Sequence, residues 1–407
     1  MDIKISDGIK ILAKRVEQEI STIFLGIERV RELNFMKVLD AFRKSRVSEF
    51  NFGDTSGYGY SDSGREKVEN VYRYIFHTDQ ALVRPQIISG THAIAISLFG
   101  LLRPDDTLLY LSGEPYETGE GVVGIRGVEG SLKDFNVKFE QTDLRETVER
   151  EKIKRASVGV IQRSGGYSFK KSLTVEEIGE YIKTVKKINP DICVMIDNCY
   201  GEFVEEYEPT DFGADIIAGS LIKNIGGGIT PTGGYIAGKE QYMKKVESRL
   251  TAPGLGKEIG PMLGLTRLFL QGVFFAPMVV SNALKGAIFA SRLFELLGYE
   301  VKPRFDEARG DIVQGVRLND PDKLIKFVQV VQNVSPIDWD AEIQPAPLAG
   351  YGNKILMAAG TFIQGSSIEL SADAPVKPPY VAYLQGGIYY EHSKLASMYA
   401  AEVLKSK

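Results

Sequence analysis

Apolar residues recur at helical spacing through the start of the chain, and short runs of strand type follow. Between Ile9 and about Arg46 the apolar positions fall three or four residues apart, which predicts an N-terminal helical arm. Beyond the arm, apolar runs of strand type alternate with helical patterns, which indicates a largely parallel, seven-stranded sheet wound by helices on both faces. The predicted strands are Gln86–Ser89, Thr107–Leu111, Asn136–Glu140, Ser157–Gln162, Ile192–Asp197, Asp215–Gly219 and Gly234–Gly238.

Helical patterns dominate residues 239–297, and the rest of the chain predicts a smaller α+β unit. The most apolar stretch, Met262–Ala290, is interrupted by polar residues and is interpreted as packed helices, not as a membrane span. Since 407 residues exceed the size of one core, more than one domain is expected. The predicted units are an arm and loop over 1–60, a large domain over 61–275 and a small domain over 276–407. The elements predicted in the last unit are Asp311–Arg317, Asp322–Gln332, Lys354–Ala358, Ser367–Ser371 and a helix from Gly387.

Composition predicts a soluble cytoplasmic protein with a small-molecule partner. Apolar residues make up 43% of the chain and charged residues 25%, as in ordinary globular proteins. A net charge of -4 without a long basic run argues against a nucleic-acid partner. The two cysteines, Cys193 and Cys199, do not form a disulfide framework, and the N-terminus lacks a signal-peptide pattern. His77, His92 and His392 lack ligand spacing, so no metal is expected.

Lys223 follows an apolar strand-type run and precedes three consecutive glycines. Partial desolvation in a pocket lowers the pKa of a lysine amine. The neutral amine can form a Schiff base with an aldehyde such as that of pyridoxal 5'-phosphate, PLP. PLP also needs an acid beside its ring nitrogen. Asp197 ends a short apolar run at the mouth of the predicted sheet, where open α/β folds place ligands. Taken alone, Lys223 is most often interpreted as an exposed lysine, and Asp197 is as readily interpreted as a cap of the following turn.

Three small residues predict an anion site near this pair. Gly90 and Thr91 lie where a strand-type run passes directly into a helix, whose N-terminus would present backbone N–H groups to a phosphate. Ser220, three residues before Lys223, adds a hydroxyl. A plain capped turn is the alternative reading of the first two residues.

Further residues could contact a cofactor or substrate. Tyr116, in the loop after the second predicted strand, could stack on a flat ring. Arg163 ends the fourth predicted strand and has the fork geometry for a substrate carboxylate, although a surface arginine is equally consistent. Tyr58, Tyr60 and Arg65 belong to a Gly-rich loop that either reaches a phosphate, perhaps in a neighbouring subunit, or is only solvated.

The chain resembles the fold-type I PLP enzymes of Cys/Met metabolism, and within them the aluminium-resistance or methionine gamma-lyase-like proteins. The segments Ile196-Asp-Asn-Cys-Tyr-Gly-Glu-Phe and Gly213-Ala-Asp-Ile-Ile-Ala-Gly-Ser-Leu-Ile-Lys-Asn carry the resemblance. It implies a large domain with a seven-stranded, mostly parallel sheet, a smaller α+β C-terminal domain and a homotetramer built from dimers whose sites share residues.

By this resemblance Lys223 binds PLP covalently, Asp197 holds the pyridine nitrogen and Tyr116 stacks on the ring. Gly90, Thr91 and Ser220 bind the phosphate, and Tyr58, Tyr60 and Arg65 become contacts across subunits. Two positions depart from the better-known lyases. Ile222 replaces a phosphate-binding threonine, and Glu369 lies about where those lyases carry an arginine for the substrate carboxylate.

The expected activity is a PLP-dependent carbon-sulfur lyase that acts on sulfur-containing amino acids and releases a thiol, ammonia and a 2-oxo acid. Other PLP chemistry, such as transamination, is one alternative. A PLP-fold protein that binds or regulates without turnover is another, motivated by Glu369. A nucleotide-binding Rossmann protein is disfavoured because no Gly-x-Gly-x-x-Gly joins a strand to a helix.

Overall fold

A computed structural model describes residues 4–348 and 350–405, in which helices and strands alternate as predicted. The helices are α1 Asp7–Ser45, α2 Ser63–Ile75, α3 Gly90–Leu101, α4 Glu117–Val123, α5 Arg150–Arg155, α6 Val175–Ile188, α7 Glu240–Leu250, α8 Thr266–Leu296, α9 Pro321–Asn333 and α10 Tyr390–Lys405. The strands are β1 Gln80–Arg84, β2 Thr107–Tyr110, β3 Lys138–Gln141, β4 Val158–Gln162, β5 Cys193–Asp197, β6 Ile216–Ser220, β7 Gly234–Gly238, β8 Glu300–Lys302, β9 Gln314–Arg317, β10 Ile355–Ala358, β11 Ser371–Pro375 and β12 Val381–Gln385.

The large sheet has seven strands in the order β1-β7-β6-β5-β4-β2-β3. Strand β7 runs antiparallel to both of its neighbours, and the other pairings are parallel. The central strands are buried along their length because hydrophobic clusters cover both faces of the sheet. The predicted seven-stranded, mostly parallel sheet of a fold-type I protein is confirmed.

The first strand lies earlier in the chain than predicted. Its residues are Gln80–Arg84, paired antiparallel with β7, whereas the predicted Gln86–Ser89 segment is a turn. Pro85 has no backbone N–H to donate to a neighbouring strand and so ends β1. Ser89 then caps α3, with its Oγ accepting a hydrogen bond from the backbone N–H of His92 at 3.1 Å.

The C-terminal sheet is antiparallel, in the order β10-β11-β12-β9-β8, and α9 and α10 pack against one another beside it. The prediction of a strand at Ser367–Ser371 is wrong, since β11 begins only at Ser371. The carboxylate of Glu369 accepts hydrogen bonds from the backbone N–H groups of Phe362 and Ile363 at 2.9 and 3.0 Å, which folds this segment into a loop. Strands β8 and β12 were not predicted.

Two long helices join the two halves of the molecule. Helix α8 contributes its first half to the core of the large sheet and its second half to the core of the small sheet, and α1 packs along it. By length and composition α8 could cross a membrane, but 72% of its most apolar window is buried inside the protein, as predicted for a packed helix. The predicted domain boundary between residues 275 and 276 falls within α8 and stays a prediction.

Candidate active site

Three predicted residues meet at the carboxyl edge of the large sheet. Asp197 is the last residue of β5 and Ser220 the last of β6, and the two strands are parallel neighbours. Lys223 follows three residues after β6, and all three residues line one cavity of about 620 Å³. Because parallel strands end at the same edge of a sheet, residues distant in sequence share this cavity.

The loop that carries Lys223 is fixed from both sides. The Nδ2 atom of Asn224 donates hydrogen bonds to the carbonyl oxygens of Tyr200 and Glu202, at 2.8 and 3.0 Å, and so ties the loop to the exit of β5. Gly227 has a left-handed conformation with φ 57°, and a Cβ there would collide with the carbonyl oxygen of Gly272 in α8. Gly227 therefore allows the close approach of a helix, not of a ligand.

The side chain of Lys223 lies among aromatic and acidic groups. Its Nζ is 3.6 Å from the centroid of the Tyr200 ring. Burial disfavours the ammonium form, but the neighbouring Tyr200, Cys199 and Asp197 groups outweigh that effect and raise the pKa of Lys223. The expectation that desolvation would lower this pKa is wrong, because the neighbours of the lysine set its charge state.

Asp197 provides an acid for a ring nitrogen. Burial raises the pKa of the Asp197 carboxyl, and the charge of Lys223 and the hydrogen bonds from Cys199 oppose that rise. Its Oδ1 accepts a hydrogen bond from the backbone N–H of Cys199 at 3.1 Å. A buried carboxylate in this position suits a protonated pyridine, which supplies the opposite charge.

The predicted anion site lines the same cavity as Asp197. Gly90 and Thr91 open α3, so their N–H groups belong to the first turn, where no intrahelical acceptor exists. A Cβ on Gly90 would be 3.0 Å from Sγ of Cys199 and 3.1 Å from Cβ of Ser220, so a larger residue would crowd this corner. Thr118, which sequence reasoning missed, shares a 2.9 Å hydrogen bond with the hydroxyl of Thr91.

Tyr116 forms part of an aromatic wall. Its backbone N–H donates to Oε1 of Gln162 at 2.7 Å, and its hydroxyl lies 2.7 Å from the hydroxyl of Tyr351. The rings of Tyr116 and Tyr167 lie 5.5 Å apart between centroids, and those of Tyr167 and Tyr351 lie 6.0 Å apart. Burial raises the pKa of the Tyr116 phenol, which keeps the hydroxyl protonated.

The small domain supplies polar groups that sequence reasoning missed. Asp373 on β11 and Gln385 on β12 line the cavity, and Nε2 of Gln385 donates to Oδ2 of Asp373 at 2.6 Å. The hydroxyl of Tyr167 donates to the same oxygen at 2.8 Å. No local motif marks these residues, because their place at the cavity depends on how the two domains pack.

Arg163 does not bind a substrate, and this prediction is wrong. Its side chain is fully buried beneath the sheet edge and is absent from the cavity wall. Its guanidinium donates to Oδ1 of Asn198 at 2.8 Å and pairs with Glu205 and Glu208 at 2.8 and 3.4 Å. Two carboxylates within the protein already occupy the fork that was assigned to a substrate.

Arg65 is also committed within the chain, so its assignment as a phosphate ligand is wrong. The buried guanidinium donates to the carbonyl oxygens of Gly59, Gly260 and Glu258 at 2.8, 2.9 and 3.2 Å, and fastens the Gly-rich loop to residues 258–260. Tyr58 and Tyr60 are 67% and 61% exposed and lie outside the cavity wall. Their contact with a neighbouring subunit stays a prediction.

The residues around the cavity fit PLP. Lys223 suits the aldehyde of PLP, and the buried carboxyl of Asp197 suits its ring nitrogen. The first turn of α3 suits the phosphate, and the tyrosine wall suits the ring. Glycine at position 90 keeps the corner beside the first turn of α3 uncrowded, since a methyl group there would press on Cys199 and Ser220. Among the described residues, no group of three or more His, Cys, Asp or Glu is placed to hold a metal ion.

This fold and site define the fold-type I class of PLP-dependent proteins. The PLP-dependent protein YhfS from Escherichia coli has a TM-score of 0.61, with 16% identity over 93% of this chain and 96% of its own. At that identity the likeness shows the fold alone.

The chain belongs to the methionine gamma-lyase family, whose model matches residues 9–405. A structure described as a carbon-sulfur lyase involved in aluminium resistance, from Clostridium novyi NT, is 46% identical and has a TM-score of 0.93, covering 98% of this chain and 96% of its own. "Uncharacterized protein YnbB" of Bacillus subtilis is 48% identical over 98% of this chain and 97% of its own length. The predicted family is confirmed.

Proposed function

We propose that the protein is a PLP-dependent carbon-sulfur lyase that eliminates a thiol from the β or γ carbon of a sulfur-containing amino acid and leaves ammonia and a 2-oxo acid. The observation that carries the proposal is that Lys223, Asp197 and the first turn of α3 line one cavity in a member of the methionine gamma-lyase family. The name of the Clostridium novyi structure supports the same reaction class.

The proposed division of labour follows from where the side chains lie. PLP supplies an electron sink for the substrate α carbon when bound. Lys223 would hold PLP, and its Nζ, released as a neutral amine when the substrate displaces it, would accept the α proton. Asp197 would keep a positive charge on the ring nitrogen, while Gly90, Thr91 and Ser220 would hold the phosphate and Tyr116 would cover the ring.

Covalent PLP on Lys223 is tested by absorption spectroscopy before and after borohydride reduction, followed by peptide mass mapping. We expect a reduced pyridoxyl group on the peptide that contains Lys223, and its loss in Lys223→Ala. Lys244→Ala is the matched control, because that lysine is an exposed partner of Glu240 on α7. A reducible covalent adduct that survives in Lys223→Ala would show that another lysine holds PLP.

The reaction itself is tested by product analysis with cystathionine, cysteine and methionine. Thiol, ammonia and 2-oxo acid in equal amounts support the lyase. A second candidate, binding without turnover, is favoured by one observation: among the described residues that line the cavity none is an arginine that could hold the substrate carboxylate. No product from any of these substrates would replace the lyase by that candidate, and exchange of amino groups without thiol release would replace it by transamination.

We also propose a cytoplasmic homotetramer in which neighbouring subunits complete each site. Large apolar side chains on the outside support an interface, among them Phe50, Tyr58 and Ile88 at 83%, 67% and 69% exposed. Light scattering of the purified protein tests the tetramer. Mixing and refolding Lys223→Ala with Tyr58→Ala tests the shared site. If Tyr58 of one subunit completes the site of its neighbour, a mixed dimer contains one site in which both Lys223 and Tyr58 are unaltered, and activity is partly recovered.

A further inference from the structure

The cavity wall has no obvious group to hold the carboxylate of an amino acid. Among the described residues in the wall, Lys223 is the one cation, and in the proposed function it is engaged with PLP. A carboxylate that leaves water needs hydrogen-bond donors in the protein. Since no arginine in the described wall supplies them, the uncharged donors of the wall are the candidates.

Two serines of the small domain have hydroxyl groups without a partner. Ser367 and Ser371 both line the cavity, and they are only 4% and 3% exposed. Among the described residues, neither Oγ atom has a hydrogen-bond partner. An unpaired buried hydroxyl destabilises a folded protein, so two of them in one wall require an explanation. A ligand that accepts a hydrogen bond from each serine provides one.

The backbone places the two serines at the same wall. Ser371 begins β11 and lies directly opposite Gln385 of β12, which also lines the cavity. Ser367 belongs to the loop that the carboxylate of Glu369 shapes, and Glu369 itself is absent from the cavity wall. A serine hydroxyl turns about a single bond, so each can donate to an acceptor in the cavity.

The acid beside the serines does not exclude an anion. Burial raises the pKa of the Asp373 carboxyl, although the hydrogen bonds from Tyr167 and Gln385 and the charge of Lys223 oppose that rise. The raised pKa favours the neutral acid, and a carboxylate bound nearby would raise it further. A neutral Asp373 does not repel a negatively charged ligand.

We propose that the hydroxyl groups of Ser367 and Ser371 bind the α-carboxylate of the substrate in place of an arginine. The inference rests on the proposed function and names the residues that recognise an α-amino acid. Both hydroxyls donate and the carboxylate oxygens accept, and no proton is transferred. A wall without arginine is then no obstacle to turnover of an amino acid.

Two probes that differ only in the carboxylate test the proposal. These are L-norleucine and pentylamine, which has hydrogen in place of the carboxylate. Neither contains sulfur, so their dissociation constants, measured from the change in the PLP absorption spectrum of the holoenzyme, do not depend on carbon-sulfur cleavage. We expect the unaltered protein to bind norleucine at least tenfold more tightly. In Ser367→Ala and in Ser371→Ala the affinity for norleucine is expected to fall about tenfold or more, while that for pentylamine stays the same.

Ser397→Ala is the matched control. Ser397 on α10 is equally buried, but its Oγ donates to the carbonyl oxygen of Ser393 at 2.8 Å and it is absent from the cavity wall. We expect this variant to leave both dissociation constants unchanged and to lower the midpoint of urea denaturation, because it loses a hydrogen bond within the protein. Ser367→Ala and Ser371→Ala lose none, so their midpoints are expected to stay the same or rise.

Three results would overturn the inference. The first is equal affinity of the unaltered protein for the two probes, and the second is an equal loss for both probes in the serine variants. The third is a lowered denaturation midpoint, or a failure to fold, in Ser367→Ala and Ser371→Ala, since the hydroxyls would then have partners within the protein. This third measurement needs neither PLP nor a substrate.

Failure of the proposed function is distinguishable from failure of this inference. If no substrate releases a thiol but the affinity for norleucine depends on both serines, the inference stands and the lyase falls. If a thiol is released and the serine variants bind norleucine as the unaltered protein does, the lyase stands and another group holds the carboxylate. A protein that takes up no PLP would remove both.

Discussion

The two walls of the cavity are built in different ways. The large-domain wall consists of strand ends and the turns that follow them, so Asp197, Ser220 and Lys223 come from two neighbouring strands and one loop. The small-domain wall draws Tyr351 from a loop and Asp373 from an antiparallel sheet far along the chain. In the proposed function the first wall would hold PLP and the second would face the rest of the substrate, so we expect mutations to separate cofactor chemistry from substrate choice.

The largest effect is expected from Asp197→Ala in the large-domain wall. Removing a preorganised charge from a buried site costs about 10²- to 10³-fold in kcat. Turnover at saturating PLP and substrate measures the loss, and Asp40→Ala, an exposed ion-pair partner of Lys44 on α1, is the control. A loss of less than about fivefold would contradict the role of Asp197 and with it the division between the walls.

Below the large-domain wall, Glu202 makes stability depend on pH. Burial raises the pKa of Glu202 from 4.5 to about 8, while the hydrogen bond from Tyr235 at 2.7 Å opposes that rise. Between pH 4.5 and about 8 the unfolded chain has lost this proton and the folded protein keeps it. The folded protein is stabilised because it binds the Glu202 proton more tightly than the unfolded chain does. This stabilisation is complete below pH 4.5, falls as the pH rises from 4.5 to about 8 and is lost above about 8.

Glu202→Gln tests this contribution, because glutamine resembles the protonated acid at every pH. The gain in free energy of unfolding over the unaltered protein is expected to grow from pH 5.5 to pH 8.5 and to reach a few kcal/mol. Urea denaturation at both pH values measures it, and Glu240→Gln on the exposed start of α7 controls for the loss of a surface charge. An unchanged difference at the two pH values would show that Glu202 is ionised in the folded protein.

Gly90→Ala is expected to weaken PLP binding about tenfold or more without unfolding the protein. The added Cβ would lie 3.0 Å from Sγ of Cys199, so we expect the first turn of α3 to shift and one charge-assisted hydrogen bond to the phosphate to be lost, which sets the size of the effect. Titration of the apoprotein with PLP measures it. Gly26→Ala is the matched control, since a Cβ there meets no heavy atom within 4 Å. Equal affinities in both variants would place the phosphate elsewhere.

The sequence predicted the large-domain wall because each of its residues follows a local signal. A lysine after an apolar run, an acid at a strand end and small residues before a helix can be recognised without knowing the tertiary fold, and the structure brings Lys223, Asp197 and Gly90 to one cavity. The same local reasoning gave a wrong role for Arg163. Its place at a strand end was correct, but Glu205 and Glu208, more than 40 residues later, turn its side chain beneath the sheet edge.

The small-domain wall could not be predicted from local patterns. Tyr351 and Tyr116 meet across 235 residues, and Tyr167 and Asp373 across 206. Such contacts depend on how α8 sets one domain against the other, which no periodicity encodes. The misplaced first strand has a different cause. Residues 80–84 and 86–89 both contain apolar residues, and only Pro85 between them marks where the edge strand ends and the turn begins.

Tyr351→Phe is the smallest and most direct test of the separation between the walls. It removes one hydroxyl, which lies 2.7 Å from the hydroxyl of Tyr116, and leaves the ring packed against Tyr167. One hydrogen bond contributes about 0.5 to 1.5 kcal/mol, so kcat/KM is expected to fall about two- to tenfold while the affinity for PLP stays the same. Tyr389→Phe, which alters an exposed ring away from the cavity wall, is the control. A loss above about a hundredfold in kcat would make Tyr351 a catalytic residue. The small-domain wall would then take part in the chemistry together with the large-domain wall.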